Sequence, residues 1–264
     1  MTDAATTPLY LSRLILNPFS RQVRRELAQP YEMHRTLMRA FPEAKNPEQV
    51  PARHELGVLF RAEVDDLGDA VTVLVQSLVA PDWTILDVLR DYLCPDTMIP
   101  NPSCKDIMPA CQNLHPGKIL RFRLRANPTK RIAKKDDPMK GKRVELTREN
   151  EQIDWLIRKG LEREKGVTGG FELFMKEGKN IKGEIIKVPR VNVCPEGKQK
   201  GRKTDEAGGH QTTHLAVVFE GLLRVTDKTA FMETLVRGIG SGKGYGFGLL
   251  SVAPCPPPCR APGQ

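Results

Sequence analysis

Two side chains near the start of the chain have the types that proton transfer requires. Tyr31 and His34 stand three residues apart in PYEMHRTL, a spacing that sets both on one face of a helix. An imidazole exchanges a proton near neutral pH, and a phenol donates a hydrogen bond to a developing anion. Arg24, Arg25, Arg35 and Arg39 surround the pair in sequence, a local field that draws phosphate. These are the groups with which RNA is cut without a metal ion. The acidic residues are spread among Lys and Arg, and no cluster of them suits a two-metal site. The plainer reading of His34 is a half-buried helix residue that does no chemistry. Residue types alone leave both readings open.

A second stretch asks for a function. In GIGSGKGYGFGLL, residues 238 to 250, glycine falls at every second position from Gly238 to Gly248. So many glycines carry a large entropy cost, which bare backbone must be needed to justify. Exposed N–H groups at Gly240, Ser241, Gly242, Lys243 and Gly244 would form a phosphate cradle; a purely structural turn is the alternative. A P-loop is excluded, because Arg237 stands at its first glycine and Gly244 follows Lys243. The dinucleotide fingerprint also fails, its third glycine falling on Lys243, Tyr245 or Phe247.

No metal or cofactor is expected. The cysteines at 94, 104, 111, 194, 255 and 259 include no C-x-x-C pair, so free thiols are the simplest reading. His210 and His214 lie four apart in GGHQTTH, too glycine-rich and too poor in partners for a metal site. The 264 residues give enough chain for one large or two small domains. A formal net charge of +9 favours a polyanionic partner. No apolar run approaches a membrane span, and no basic region precedes the first apolar run as in a signal peptide. The cytoplasm is the expected compartment.

The elements that must position these residues read in order as follows. LYLSRLIL, residues 9 to 16, is a strand, and residues 31 to 41 form a helix between Pro30 and Pro42. Residues 57 to 64 and 70 to 78 read as two strands, 84 to 93 as a helix, and KILRFRLRA, 118 to 126, as an alternating strand. That order, β-α-β-β-α-β, is the ferredoxin-like pattern. A basic connector with two prolines follows, then a second round: RVEL as a short strand, a helix capped by Thr147, a strand pair, an irregular basic stretch from 194 to 209, and the strand HLAVVFEGLLRV. A last helix with Asp227 or Thr226 at its cap leads to the glycine loop and a final strand. The predicted fold class is α+β, two tandem ferredoxin-like domains at 8–127 and 143–254, with a basic linker at 128–142 and a disordered tail at 255–264.

Basic residues fall in two groups. Lys118, Arg121, Arg123 and Arg125 alternate with Phe122 and Leu124, making one strand face basic; a solvated edge strand would look the same. Lys187, Arg190, Lys198, Lys200, Arg202 and Lys203 mark a basic hairpin in the second half, suited to the phosphates of an RNA stem. Aromatics make up only 6% of the chain, which disfavours base stacking on a sheet.

Four segments carry a family resemblance: NPFSRQVRRELAQPYEMHRTL, RFRLRANPTKR, LRVTD and GIGSGKGYGFGLLSVAP. Together they resemble the CasE family, RAMP-type CRISPR endoribonucleases that process repeat RNA in type I-E Cascade systems. The resemblance runs from about Leu9 to Pro254. It departs only in GKGYGFG, where the family has GKAFGxG, and in a Pro/Cys tail without a family role. It implies that Tyr31 and His34 are catalytic, with His34 as general acid or base. It also implies in-line attack by a 2′-hydroxyl, giving a 2′,3′-cyclic phosphate and a 5′-hydroxyl. The implied partners are a CRISPR repeat stem-loop, the mature crRNA and other Cascade subunits, with no membrane. A non-catalytic RNA-binding subunit is the alternative.

Overall fold

The structure is a computed structural model that describes residues 7–44, 52–65, 67–95, 98–132, 141–161, 168–179, 183–205 and 208–255, with backbone only for 202–211. The first unit runs β1 (Tyr10–Leu16), α1 (Arg21–Ala28), α2 (Pro30–Met38), α3 (Ala52–Glu55), β2 (Leu59–Val64), β3 (Val71–Ser77) and β4 (Ser103–Asp106). Its sheet has the antiparallel order β2-β3-β1-β4. Alternation explains the strands. Leu14 and Leu16 of β1 and Val71, Val73 and Val75 of β3 point to one face, where Met33 and Leu37 of α2 cover them.

After α4 (Met108–Gln112) come β5 (Ile119–Ala126), β6 (Thr129–Arg131), β7 (Arg143–Glu145), α5 (Glu149–Leu161), β8 (Phe171–Leu173), β9 (Met175–Lys179) and β10 (Ile185–Pro189). The chain closes with β11 (Val191–Asp205), β12 (Gly208–Val225), α6 (Lys228–Arg237) and β13 (Leu250–Pro254). The second sheet has the order β11-β12-β5-β13, with β8 also paired to β12. Phe122, Leu124, Val217 and Phe219 pack there against Trp155 and Leu156 of α5 and Phe231 and Leu235 of α6. Asp227 caps α6, accepting from the Ala230 amide at 2.8 Å. In both sheets the first strand lies between the third and fourth, and the fold is ferredoxin-like twice in tandem.

Three expectations change. KILRFRLRA does not close the first unit: β5 is the central opening strand of the second sheet, hydrogen-bonded on one edge to β12 and on the other to β13. The fourth place in the first sheet goes to the polar SCKD of β4, an edge strand with little to bury. RVEL therefore opens nothing, and among the described residues β7 pairs only with β6. Residues 84–93 do not form a helix beyond a 3-10 turn at Trp83–Leu86, capped by Asp82. Tertiary hydrogen bonds take the chain instead: Asn17 N–H donates to Tyr92 O at 2.9 Å, Cys94 N–H to Ile15 O at 2.8 Å. Of the basic stretch read as irregular, residues 194–205 and 208–209 lie on the long β11–β12 hairpin, regular apart from a shift between Pro195 and Gly197. Residues 194 to 198 are exposed, so the ladder and not burial holds them.

Side chains of the first unit bond backbone carbonyls of the second. Gln76 of β3 donates to Leu235 O at 2.8 Å, and the buried Arg61 of β2 donates to Arg123 O and Leu249 O, both at 3.3 Å. The loop after α6 lies along this seam, with Gly238 against Leu59 and Gly246 against Phe60.

Candidate active site

Pro30 starts α2, where its missing N–H costs nothing. Met33 and Leu37 face the core, leaving Tyr31 and His34 on the neighbouring face. A buried carboxylate fixes the helix: Glu26 of α1 accepts from Thr36 at 2.6 Å, Tyr92 at 2.6 Å and Gln22 at 2.9 Å. A buried acid with three donors is fully satisfied, and burial with the Glu26 charge pushes the Tyr92 phenol above its ordinary range.

The His34 ring stacks on Phe60, 6.2 Å between centroids and 6° between planes. Its Nδ1 is buried without a hydrogen-bond partner. Burial, and secondarily the Arg53 charge, push its pKa down to about 4. The imidazole is therefore neutral at pH 7, a proton acceptor. Tyr31 lies 5.8 Å from His34 and 5.6 Å from Tyr245, centroid to centroid. Arg53 of α3 acts on the His34 ring through its charge, and His54 follows it on the same short helix. His54 is held below its usual value by burial and then by the charges of Arg53, Lys243 and Arg237. Sequence reasoning missed Arg53, because ARHE carries no motif and reaches His34 only through the fold.

The glycine loop closes the site. A 3-10 turn at Lys243–Tyr245 sits over α2 between Gly242 and Gly246, whose φ values are 79° and 78°. Gly244 faces Tyr31 and His34: a Cβ there would lie 3.5 Å from His34 Cδ2 and 3.6 Å from Tyr31 Cδ2. Those are ordinary contacts, so the alanine that the resemblance places at this position fits. Gly248 is different, with φ +92° and a would-be Cβ 2.8 Å from the Ile239 carbonyl. Gly244→Ala should leave stability within about 0.5 kcal/mol, while Gly248→Ala should cost about 1–3 kcal/mol. Urea unfolding of the two variants checks this; equal stabilities would mean the loop relaxes freely.

The basic residues fall into distinct places. Arg121 is exposed, but Arg123 is paired with Glu63 at 2.9 Å and Glu220 at 2.7 Å. Arg125 is buried, bonded to Glu196 at 2.6 Å and set over Phe247 at 4.8 Å. The strand face read as a uniform RNA surface thus turns Arg123 and Arg125 into the seam between units, where carboxylates meet their charge. Lys118 donates to Asn113 O at 3.0 Å. Lys187, Arg190 and Lys200 are exposed; Lys198, also exposed, reaches Glu145 at 3.3 Å. Arg35 is exposed beside Glu32. Arg202 and Lys203 lie on β11, and their side chains are outside the described residues. Among the described residues no group of three His, Cys, Asp or Glu side chains is placed to hold a metal ion.

The profile of the family described as CRISPR associated protein matches residues 9–254. The chain belongs to this family. Within it, the chain is similar to the CRISPR-associated endoribonuclease Cse3 of Thermus thermophilus, 41% identical over 93% of this chain and 100% of that protein. The Cascade subunit CasE of Escherichia coli is 29% identical, again over 93% of this chain and 100% of the relative. The solved structure of Thermus thermophilus Cse3 bound to an RNA representing a pre-cleavage complex superimposes with a TM-score of 0.66 at 39% identity, covering 94% of this chain and 100% of that one. This is the CasE family that the motifs resemble, and its Cse3 members share the tandem fold.

Proposed function

We propose that the chain is a metal-independent endoribonuclease that cuts CRISPR repeat RNA at its stem-loop and stays bound to the product in a Cascade-type complex. The names of its relatives support the reaction and the assembly. The observation that carries it in this chain is the neutral His34 imidazole beside Tyr31 under Gly244, with Arg53 acting on the same ring.

With its pKa pushed down to about 4, His34 is suited to act as general base. It takes the proton of the 2′-hydroxyl next to the scissile phosphate. The oxygen attacks in line and the P–O5′ bond breaks; the departing 5′-oxygen takes up a proton from water, giving a 2′,3′-cyclic phosphate and a 5′-hydroxyl end, and the His34 imidazolium returns its proton to solvent. Tyr31 orients the attacking group or donates to the phosphorane. The Arg53 charge that acts on the His34 ring would oppose the negative charge gathering on that phosphorane. Bare backbone at Gly240, Gly242 and Gly244, with Ser241 and Lys243, lets the phosphate approach. Lys187, Arg190, Lys198, Lys200, Arg202 and Lys203 bind the stem, with Arg35 and Arg121 adding to the field. The same reading assigns the catalytic helix to an N-terminal unit and the hairpin and glycine loop to a C-terminal unit that opens at β5. No helix among the described residues is long and apolar enough to cross a membrane, and we place the enzyme in the cytoplasm.

The test is cleavage of the cognate repeat in EDTA. The expected result is an unchanged rate, since Arg and Lys meet the phosphate charge. Loss of cleavage in chelator, restored by Mg²⁺ or Mn²⁺, would overturn the acid–base mechanism.

A further inference from the structure

Tyr245 stands where the catalytic helix meets the long hairpin. One face of its ring packs on Tyr31, 5.6 Å between centroids, and it also meets His214 of β12 at 4.7 Å. Its hydroxyl shares a hydrogen bond of 3.1 Å with the Thr212 hydroxyl. Thr212 pairs across the hairpin with Gly201 of β11. A Cβ on Gly201 would overlap the Tyr245 ring, so glycine there is what admits the ring against the face of the hairpin at this pair. One side chain therefore touches both hairpin strands and Tyr31. Tyr245 also borders a cavity of about 280 Å³, lined further by Pro30, Met33 and Phe60.

We propose that Tyr245 is a positioning residue that couples seating of the RNA stem on the β11–β12 hairpin to placement of Tyr31 at the scissile phosphate. The proposal rests on the reading of Tyr31 and His34 as the active site. A stem lying on the hairpin fixes Thr212, Thr212 fixes the Tyr245 hydroxyl, and the ring fixes the Tyr31 phenol. Cutting, and not binding alone, then depends on a correctly seated stem. The family pattern has phenylalanine at this position, so the hydroxyl link to Thr212 is a property of this chain.

The test is single-turnover cleavage alongside affinity for a repeat made uncleavable by a 2′-deoxy scissile nucleotide. Tyr245→Phe and Thr212→Val should each slow cleavage by about 3- to 10-fold, the worth of one hydrogen bond, with affinity essentially unchanged. Thr212→Ser keeps the hydroxyl and should keep the rate. In a Tyr31→Phe background, Tyr245→Phe should cost nothing further, because it acts through the Tyr31 hydroxyl. Independent, additive losses in that cycle would overturn the coupling. So would wild-type cleavage by Tyr245→Phe, or parallel loss of binding and cutting. His34→Ala separates the two levels. If it is inactive while the cycle is additive, the coupling alone fails; if it cuts at the wild-type rate, the active-site reading has failed first.

Discussion

His34→Ala is expected to slow cleavage by about 10²-fold or more, the usual contribution of a general base, while affinity for the uncut repeat barely changes. The imidazole is neutral at pH 7 and makes one contact among many, while the neighbouring Arg53 charge stays in place. The pH profile adds a second reading. A base whose pKa is pushed down to about 4 is still deprotonated at pH 5, so kcat/KM should be nearly flat from pH 8 to pH 5. An unperturbed histidine base, with a pKa of about 6.5, would lose about 30-fold over that range. Tyr31→Phe should be milder, losing one hydrogen bond worth about 0.5–1.5 kcal/mol. Wild-type cleavage by His34→Ala would make His34 a packing residue. Joint loss of binding and cutting would favour a non-catalytic RNA-binding subunit.

Removing three exposed cations, Lys187, Arg190 and Lys200, should weaken repeat binding by about 10²-fold near physiological salt. Each phosphate contact adds roughly 0.7–0.9 to the slope of log K against log salt. The triple alanine variant should therefore flatten that slope by about 2–3. Arg125 provides the contrast, because its charge is buried and met by Glu196 at 2.6 Å. Arg125→Met should disturb stability at the seam and leave the salt slope alone. An unchanged slope in the triple variant would make this surface a solvated one.

The juxtaposition of Tyr31 and His34 was legible because it is local: they share a face by helical spacing, and Pro30 marks where that helix begins. The strands with strict alternation, β1, β3 and β5, were legible for the same reason. Which sheet β5 joins was not, since pairing is a long-range choice and Phe122 and Leu124 would suit either core. SCKD gave no signal because an edge strand buries little. Residues 84 to 93 had helical composition, but Tyr92 gains a buried hydrogen bond to Glu26 by leaving the helix. Arg123 and Arg125 looked like Arg121 in sequence; only the fold brings Glu63, Glu220 and Glu196 to two of them. Arg53 reaches the site from α3 of the same unit and Tyr245 across the seam between units, which no spacing along the chain encodes.

The most direct test is a repeat RNA with a single 2′-deoxy nucleotide at the scissile position, compared with the unmodified repeat. Attack by the 2′-hydroxyl predicts normal binding and no cleavage of the modified RNA. It also predicts a 2′,3′-cyclic phosphate and a 5′-hydroxyl on the products of the unmodified one. Cleavage of the deoxy-substituted repeat, or a 5′-phosphate on the downstream product, would mean that water and not the RNA supplies the nucleophile, and would contradict the roles given to His34 and Tyr31.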